Sequence, residues 1–419
     1  MSRRINYNCI RDDLLALPVL EKIPATKKMN KQLHWAIAVL VIISVLLILL
    51  RNYNPEAAIT SISGIFFGYI MQRSRFCFAA AFRDVFMIRN TSVSRAVLLL
   101  LFLTSAGYAL LQLFTGEVLP DSGIIYPVGL HTVAGGIIFG FGMVIAGNCV
   151  TGCLMRMGEG YVMQWYTFMG LLIGSVLGAW NLGWWGPNII ERSPIVFFPA
   201  SFGWPAAILL YLIAFILLYL LAIRYERGSL QSIKPSNWTK INFFAATVNS
   251  ISTIFSGRNW SYALGAVALS IISILTLYFW GRPPGVTSGL THMAGWLSCQ
   301  SGFLQCDWYY FQELIYYEST RVYLEHPLLY LAAAFVAGSF FASLLHSEFK
   351  IRPVKSYKYI VSALVGGTLL GYSSRVAMGC NFGGFWSGLA SFSFHAWVFG
   401  LFILVGAYIG GKFFMRYLV

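Results

Sequence analysis

The sequence predicts an all-α polytopic membrane protein, with about ten transmembrane helices plus re-entrant half-helices in two inverted repeats. Three observations lead there. Of 419 residues, 58% are hydrophobic and only 11% charged, under half the roughly 25% charged share of soluble domains. Apolar runs able to cross a hydrocarbon layer of about 30 Å recur from 35–50 to 394–413. Finally, AGNCVTG (146–152) and RVAMGCNFGG (375–384) break such runs with glycines, cysteines and asparagines, and the two segments align with each other.

The elements follow in order from hydropathy and loop charge. Residues 1–34 read as a cytoplasmic extension, with no cleavable signal: the apolar run starts near Trp35, lacks a small-residue cleavage site and precedes many further spans. An extra first span occupies 35–56, preceded by Lys27, Lys28 and Lys31, which hold the N-terminus inside. The first repeat is 57–200. Its segment 57–71 runs inward to a basic stretch, 73–95, where Arg73, Arg75, Arg83, Arg89 and Arg95 face one acid, Asp84. Span 96–114 leads out to a loop, 116–130, without Lys or Arg; 131–147 returns and 163–183 leads out again.

Residues 201–259 form a linking span (204–223) and a cytoplasmic loop bearing Arg224, Arg227, Lys234, Lys240 and Arg258. The second repeat is 260–419. Segment 261–280 leads out, and 327–346 returns to Lys350, Arg352, Lys355 and Lys358. Between them the acidic stretch 305–326, with Asp307, Glu313, Glu318 and Glu325, belongs outside. Segment 286–304 therefore cannot cross and is expected to be a re-entrant hairpin. Spans 357–373 and 394–413 finish the chain, with Lys412 and Arg416 keeping the C-terminus inside. The net charge of +14 lies in these loops and tails, where anionic lipid accounts for it better than nucleic acid does.

The repeat itself is short and specific. GGIIFGFGMVIAGNCVTGC (135–153) aligns without gaps on GGTLLGYSSRVAMGCNFGG (366–384). Gly135, Gly136, Gly140, Ala146, Cys149 and Gly152 meet identical residues 231 positions later. The first copy runs inward and the second outward, so the copies are inverted. RSRFCFAAAF (73–82), too short and basic to span, is the expected counterpart of the 286–304 segment. Inverted repeats with broken helices build transporter sites near the bilayer midplane.

Backbone that leaves helical geometry at membrane depth must be buried in protein or face a watery cavity. Gly147, Gly152, Gly379, Gly383 and Gly384 permit such breaks. Helices that start there aim free N–H groups and positive dipole ends inward, an arrangement suited to an anion. Arg375 and the flanking Asn148 and Asn381 belong to the same candidate site. Cys77, Cys149 and Cys380 add thiols, which with an ordinary pKa of about 8.5 remain mostly S–H at neutral pH. A soft S–H donor suits a sulfur- or selenium-bearing anion better than sulfate.

Other residues weigh less. Cys153 lies four residues from Cys149 and would share its helical face, but stands where the second copy has Gly384. Arg75, like Arg73 and Arg83, either anchors the cytoplasmic interface or holds Cys77 near the path. His292 and His395 read as hydrogen-bonded structural groups before proton relays. Arg156 and Glu159 fit a cytoplasmic mouth. Seven cysteines with no CxxC pair and no nearby histidine at zinc spacing point to neither a metal nor any other cofactor. No role follows for Cys9, Cys299 or Cys306.

At RSRFCFAAAFRD (73–84), GFGMVIAGNCVTGCLMRMGEG (140–160) and RVAMGCNFGGFWSGLASFSFHAW (375–397) the chain resembles the YeeE/YedE family of bacterial inner-membrane proteins. That family includes thiosulfate transporters and relatives linked to selenium metabolism, and the long two-repeat form looks most like the YedE branch. The resemblance implies an hourglass-like protein in which thiols on a central path pass a sulfur compound inward. It places the functional cysteines at Cys77, Cys149 and Cys380. It further implies a small cytoplasmic sulfur-carrier protein of the TusA type as a partner. The expected function is import of a thiosulfate-like anion or a selenium compound. The alternative is a membrane thiol protein that carries persulfide and hands its sulfur to a carrier. A scaffold has no use for helices broken at mid-membrane.

Overall fold

The computed structural model describes residues 29–116, 124–230, 260–301, 308–312, 326–354 and 356–417. The expectations for residues 1–28, for Cys9 and Cys306, and for most of the 231–259 and 305–326 loops lie outside these residues.

Thirteen main helices follow one another: α1 (Met29–Tyr53), α2 (Pro55–Ser74), α3 (Phe78–Met87), α4 (Ser92–Thr115), α5 (Leu130–Ile145), α6 (Val150–Gly158), α7 (Val162–Trp185), α8 (Trp204–Leu230), α9 (Tyr262–Trp280), α10 (Thr287–Gln300), α11 (Pro327–Leu345), α12 (Tyr357–Val376) and α13 (Phe394–Tyr417). A π-helical segment, Asn381–Ser387, follows α12. Local chemistry sets several starts. Asn54, Ser261 and Ser356 accept from backbone N–H groups of the first turns of α2, α9 and α12, satisfying donors that a helix start leaves open.

Ten of the thirteen coincide with the ten expected crossings. By length and apolarity, eight spans among the described residues qualify, or nine if the bent unit of α12 with Asn381–Ala390 is taken as one. Here α5 and α6 count together as a single span. The helix that falls short is α2. It buries Thr60, Ser61, Ser63, Gln72, Arg73 and Ser74, the composition of a helix enclosed by protein rather than lipid. The apolar windows of α1 and α8 are only 6% and 17% buried, against 67% for α5–α6. The two former helices therefore lie at the rim and the latter pair at the centre.

Segment 286–304, expected as a re-entrant hairpin, takes a simple form: an irregular stretch, Gly281–Val286, leads into the single helix α10. Pro283, Pro284 and Gly285 explain this, because consecutive prolines bar a helical inward limb.

Packing is exchanged between the two halves. Helix α5 runs along α13 as α12 runs along α7, and α2 pairs with α11 as α4 pairs with α9; α5 and α12 meet at the middle. Glycines make these contacts close. A Cβ on Gly135 would lie 2.6 Å from the Ala377 Cβ, and one on Gly366 would lie 2.5 Å from the Ala146 nitrogen. Each glycine is thus pressed onto the break in the other half, where any larger residue would part the helices.

Candidate functional site

Three of the four free buried cysteines sit on the same backbone device. Cys77, Cys149 and Cys380 are the N-cap residues of α3, α6 and the π segment, each in an extended conformation. Two residues before each stands a left-handed residue: Arg75 (φ 53°), Gly147 (φ 75°) and Met378 (φ 56°). The chain leaves one helix, reverses its local twist, straightens and starts a new helix at the cysteine. At Gly147 the left-handed backbone makes glycine the comfortable choice. Arg75 and Met378 adopt it at a cost of about 1–2 kcal/mol.

The breaks are held by neighbours. Ser362 Oγ donates to the Ile145 carbonyl at 2.7 Å, and His395 Nε2–H donates to the Ala377 carbonyl at 2.8 Å. Each group satisfies a carbonyl at the end of a broken helix. His395 is fully buried and stacked on Phe399, in keeping with a structural part.

The thiols differ in company. Cys77 S–H points at Asn148 Oδ1, 3.8 Å away, on the residue that precedes Cys149. The Cys149 sulfur also accepts from the Gly152 N–H and lies beside Thr151 Oγ1, both at 3.4 Å. A Cβ on Gly152 would come within 3.4 Å of the Cys77 sulfur and 3.1 Å of Asn148 Oδ1, so glycine there keeps this cluster open. The Cys380 thiol makes no hydrogen bond among the described residues, although the residue is 1% exposed. Next to it, Asn381 donates to the Met143 sulfur at 3.3 Å and leaves its Oδ1 buried without a partner.

Cys153 does not join them. Its thiol donates to the Gln164 carbonyl at 3.2 Å, which ties α6 to α7. Gly379 and Gly384 face one another with no room for a Cβ on either, and a Cβ on Gly383 would lie 3.5 Å from Gly285 Cα. The π turn closes when Phe385 N–H bonds the Cys380 carbonyl at 3.0 Å.

Arg375 ends α12 and is 4% exposed. Its Nη1 donates to Tyr310 Oη and its Nη2 to Thr287 Oγ1, both at 2.6 Å. His292 lies near Tyr310 and stacks on His326 with ring centroids 4.4 Å apart. Tyr126 sits edge-on to His395, ring centroids 5.5 Å apart. Thr287, Tyr310 and Tyr126 carry no signal in the sequence, because isolated hydroxyls acquire meaning only from what folds against them.

A charged cluster lies around the C-terminal end of α6. Arg75 bridges Glu159 and Glu348, the latter at 2.7 Å, and Arg73 reaches Glu348 at 3.3 Å. Arg352 donates to the Glu159 carbonyl and, with Arg156, lies over the Tyr161 ring. Burial pushes the Glu159 carboxyl above its usual range, opposed by Arg75, Arg156 and Arg352. Arg83 instead pairs with Asp84 at 2.8 Å, away from this cluster. Among the described residues, no group of three or more His, Cys, Asp or Glu side chains is placed to hold a metal ion.

Comparison with known proteins places the chain in a family. The family model described as "Sulphur transport" matches residues 73–409, a region that holds all three N-cap cysteines. The protein named "Thiosulfate transporter TsuA" of Escherichia coli (strain K12) is 26% identical over 360 residues, covering 83% of this chain and 91% of that protein. Its namesake from Spirochaeta thermophila is 26% identical over 354 residues, covering 82% and 94%. The "Probable transporter YedE" of Escherichia coli is 29% identical over 189 residues, 45% of this chain and 46% of that protein. With a polytopic helical fold and a family match across most of its length, the chain belongs to the sulphur-transport family of membrane transporters.

Proposed function

We propose that the chain imports a sulfur-containing anion such as thiosulfate, or a selenium compound of similar form, along a path lined by Cys77, Cys149 and Cys380. The observation that carries this is the threefold use of one device, in which a cysteine caps a helix that begins at a break in the fold. Each such start turns backbone N–H groups and a positive dipole end toward the path. A neutral S–H adds a weak, polarizable donor without the repulsion a thiolate would exert on an anion. The relatives named as thiosulfate transporters support thiosulfate as the first substrate to try.

Two finer readings go with it. The exchanged glycine contacts at Gly135–Ala377 and Gly366–Ala146 support two inverted repeats meeting at the path. Loop charge supports cytoplasmic termini in a bacterial inner membrane. Cys299, at the end of α10, is disulfide-bonded, which favours an external position for that end. The cluster around Arg75 then becomes the cytoplasmic mouth, where a TusA-like carrier would receive the sulfur.

The test is uptake of radiolabelled thiosulfate in cells stripped of other sulfur importers. Wild-type protein should restore uptake, and Cys149→Ala and Cys380→Ala should each remove most of it. Undiminished uptake in both variants would eliminate the thiol path.

A further inference from the structure

Arg375 poses a separate question. Among the described residues no carboxylate pairs with it, yet its side chain is almost wholly enclosed. A buried cation is normally paired or hydrogen-bonded, because an uncompensated charge in a low-dielectric interior is costly. Here the contacts are neutral hydroxyls: Tyr310 on Nη1, Thr287 on Nη2 and, at a longer 3.5 Å, Ser374 on Nε. A guanidinium has five N–H donors, so about two remain for something else.

The surroundings bring α10 and the π segment together near Arg375. Thr287 opens α10, a helix of 14 residues, whose positive end lies beside the guanidinium. The loop before it rests against the π segment: Ser387 Oγ donates to the Pro284 carbonyl at 2.7 Å, and Gly285 approaches Gly383. Cys380, with its unengaged thiol, starts that segment. The position matching Arg375 in the first repeat is Val144, so this charge belongs to one half only.

We propose that Arg375, held by Thr287 and Tyr310, forms an oxyanion station that takes the oxygen end of the permeating sulfur anion while Cys380 meets its sulfur end. The station rests on the transport reading above and adds to it a substrate class, an oxyanion with hard oxygens and one soft sulfur. It also adds a division of labour: the arginine governs capture and the thiols govern passage. The two anchors hold the guanidinium plane in place, so that the anion meets preset donors.

The experiment is labelled thiosulfate uptake into proteoliposomes holding the full chain, comparing Arg375→Gln, Arg375→Lys and Tyr310→Phe with Cys149→Ala and Cys380→Ala. Arg375→Gln should raise the half-saturation concentration at least tenfold while the maximal rate stays within about threefold. Arg375→Lys should recover part of that affinity through its charge, and Tyr310→Phe should weaken it only a few-fold. An unchanged half-saturation concentration in Arg375→Gln would overturn the station. So would a collapse of maximal rate in Arg375→Gln and Arg375→Lys alike with half-saturation unmoved, the signature of a structural prop. If the cysteine variants transport normally while Arg375→Gln loses affinity, capture of the oxygen end by Arg375 stands, and both the thiol path and the part given to Cys380 are overturned.

Discussion

The two broken helices at 146–149 and 377–380 start from one sequence plan and end in different states. Both place a left-handed residue two positions before a capping cysteine. The first break then resumes as an ordinary α-helix, and α5 with α6 passes as one 29-residue span. The second resumes as a π-helix, and α12 with Asn381–Ala390 bends by 41°. The order of two residues separates them: asparagine precedes the cysteine in GNC and follows it in GCN. Asn148 therefore faces Cys77, whereas Asn381 turns toward Met143. The lesson is that a shared motif fixes where a helix breaks, while the neighbouring small residues fix how it restarts and which thiol is left free.

The largest test of this contrast is steric. Gly379→Val would drive side-chain atoms into the Gly384 backbone. Overpacking typically costs about 1–3 kcal/mol, occasionally more, and here the clash is with backbone, so purified yield in detergent should fall to near nothing. At Gly147 a Cβ meets open space, so Gly147→Asn should give folded protein; equal yields from both variants would remove the contrast.

Serine substitutions probe the thiols next. Cys149 accepts from the Gly152 N–H, a task a serine oxygen performs at a helix start. Cys149→Ser should therefore keep uptake within a few-fold of wild type. Cys380 has no such task, and Cys380→Ser should lose about tenfold in rate. Identical losses would mean that the two breaks use their thiols alike.

A smaller effect is expected from backbone strain. Gly147→Ala, which forces a left-handed alanine, should cost about 1–2 kcal/mol and lower the thermal midpoint by a few degrees. No change would show that the turn relaxes.

The smallest concerns the mouth. A carboxyl whose folded pKa is raised stabilises the fold below its unfolded value of about 4.3, and that contribution is lost as pH rises through the folded value. Burial raises Glu159 in this way. Wild-type protein should accordingly lose part of its thermal stability as pH climbs from the ordinary carboxylate range, and Glu159→Gln should flatten that slope. An unaltered slope would assign it to other groups.

The helices were legible in the sequence because hydropathy is a local property, and runs such as 204–223 and 394–413 declare themselves residue by residue. The Cys149 and Cys380 breaks were legible for the same reason: glycine next to cysteine inside an apolar run is a local conflict. For segment 286–304, loop charge argues against a crossing but leaves the segment's form to Pro283 and Pro284. For Cys153, spacing gives the face of Cys149, and only packing against α7 shows its thiol spent on the Gln164 carbonyl.

By itself, then, the sequence determined a polytopic helical chain, two interrupted helices and the thiols beside the breaks. Only the tertiary structure decided that Cys77 meets Asn148, that the Cys380 thiol stays unengaged and that Arg375 is clasped by Thr287 and Tyr310. Those pairings join residues 65 to 88 positions apart. They arise because glycine-faced helices of the two halves press backbone to backbone, and no property of a single segment encodes which neighbour that pressure brings near.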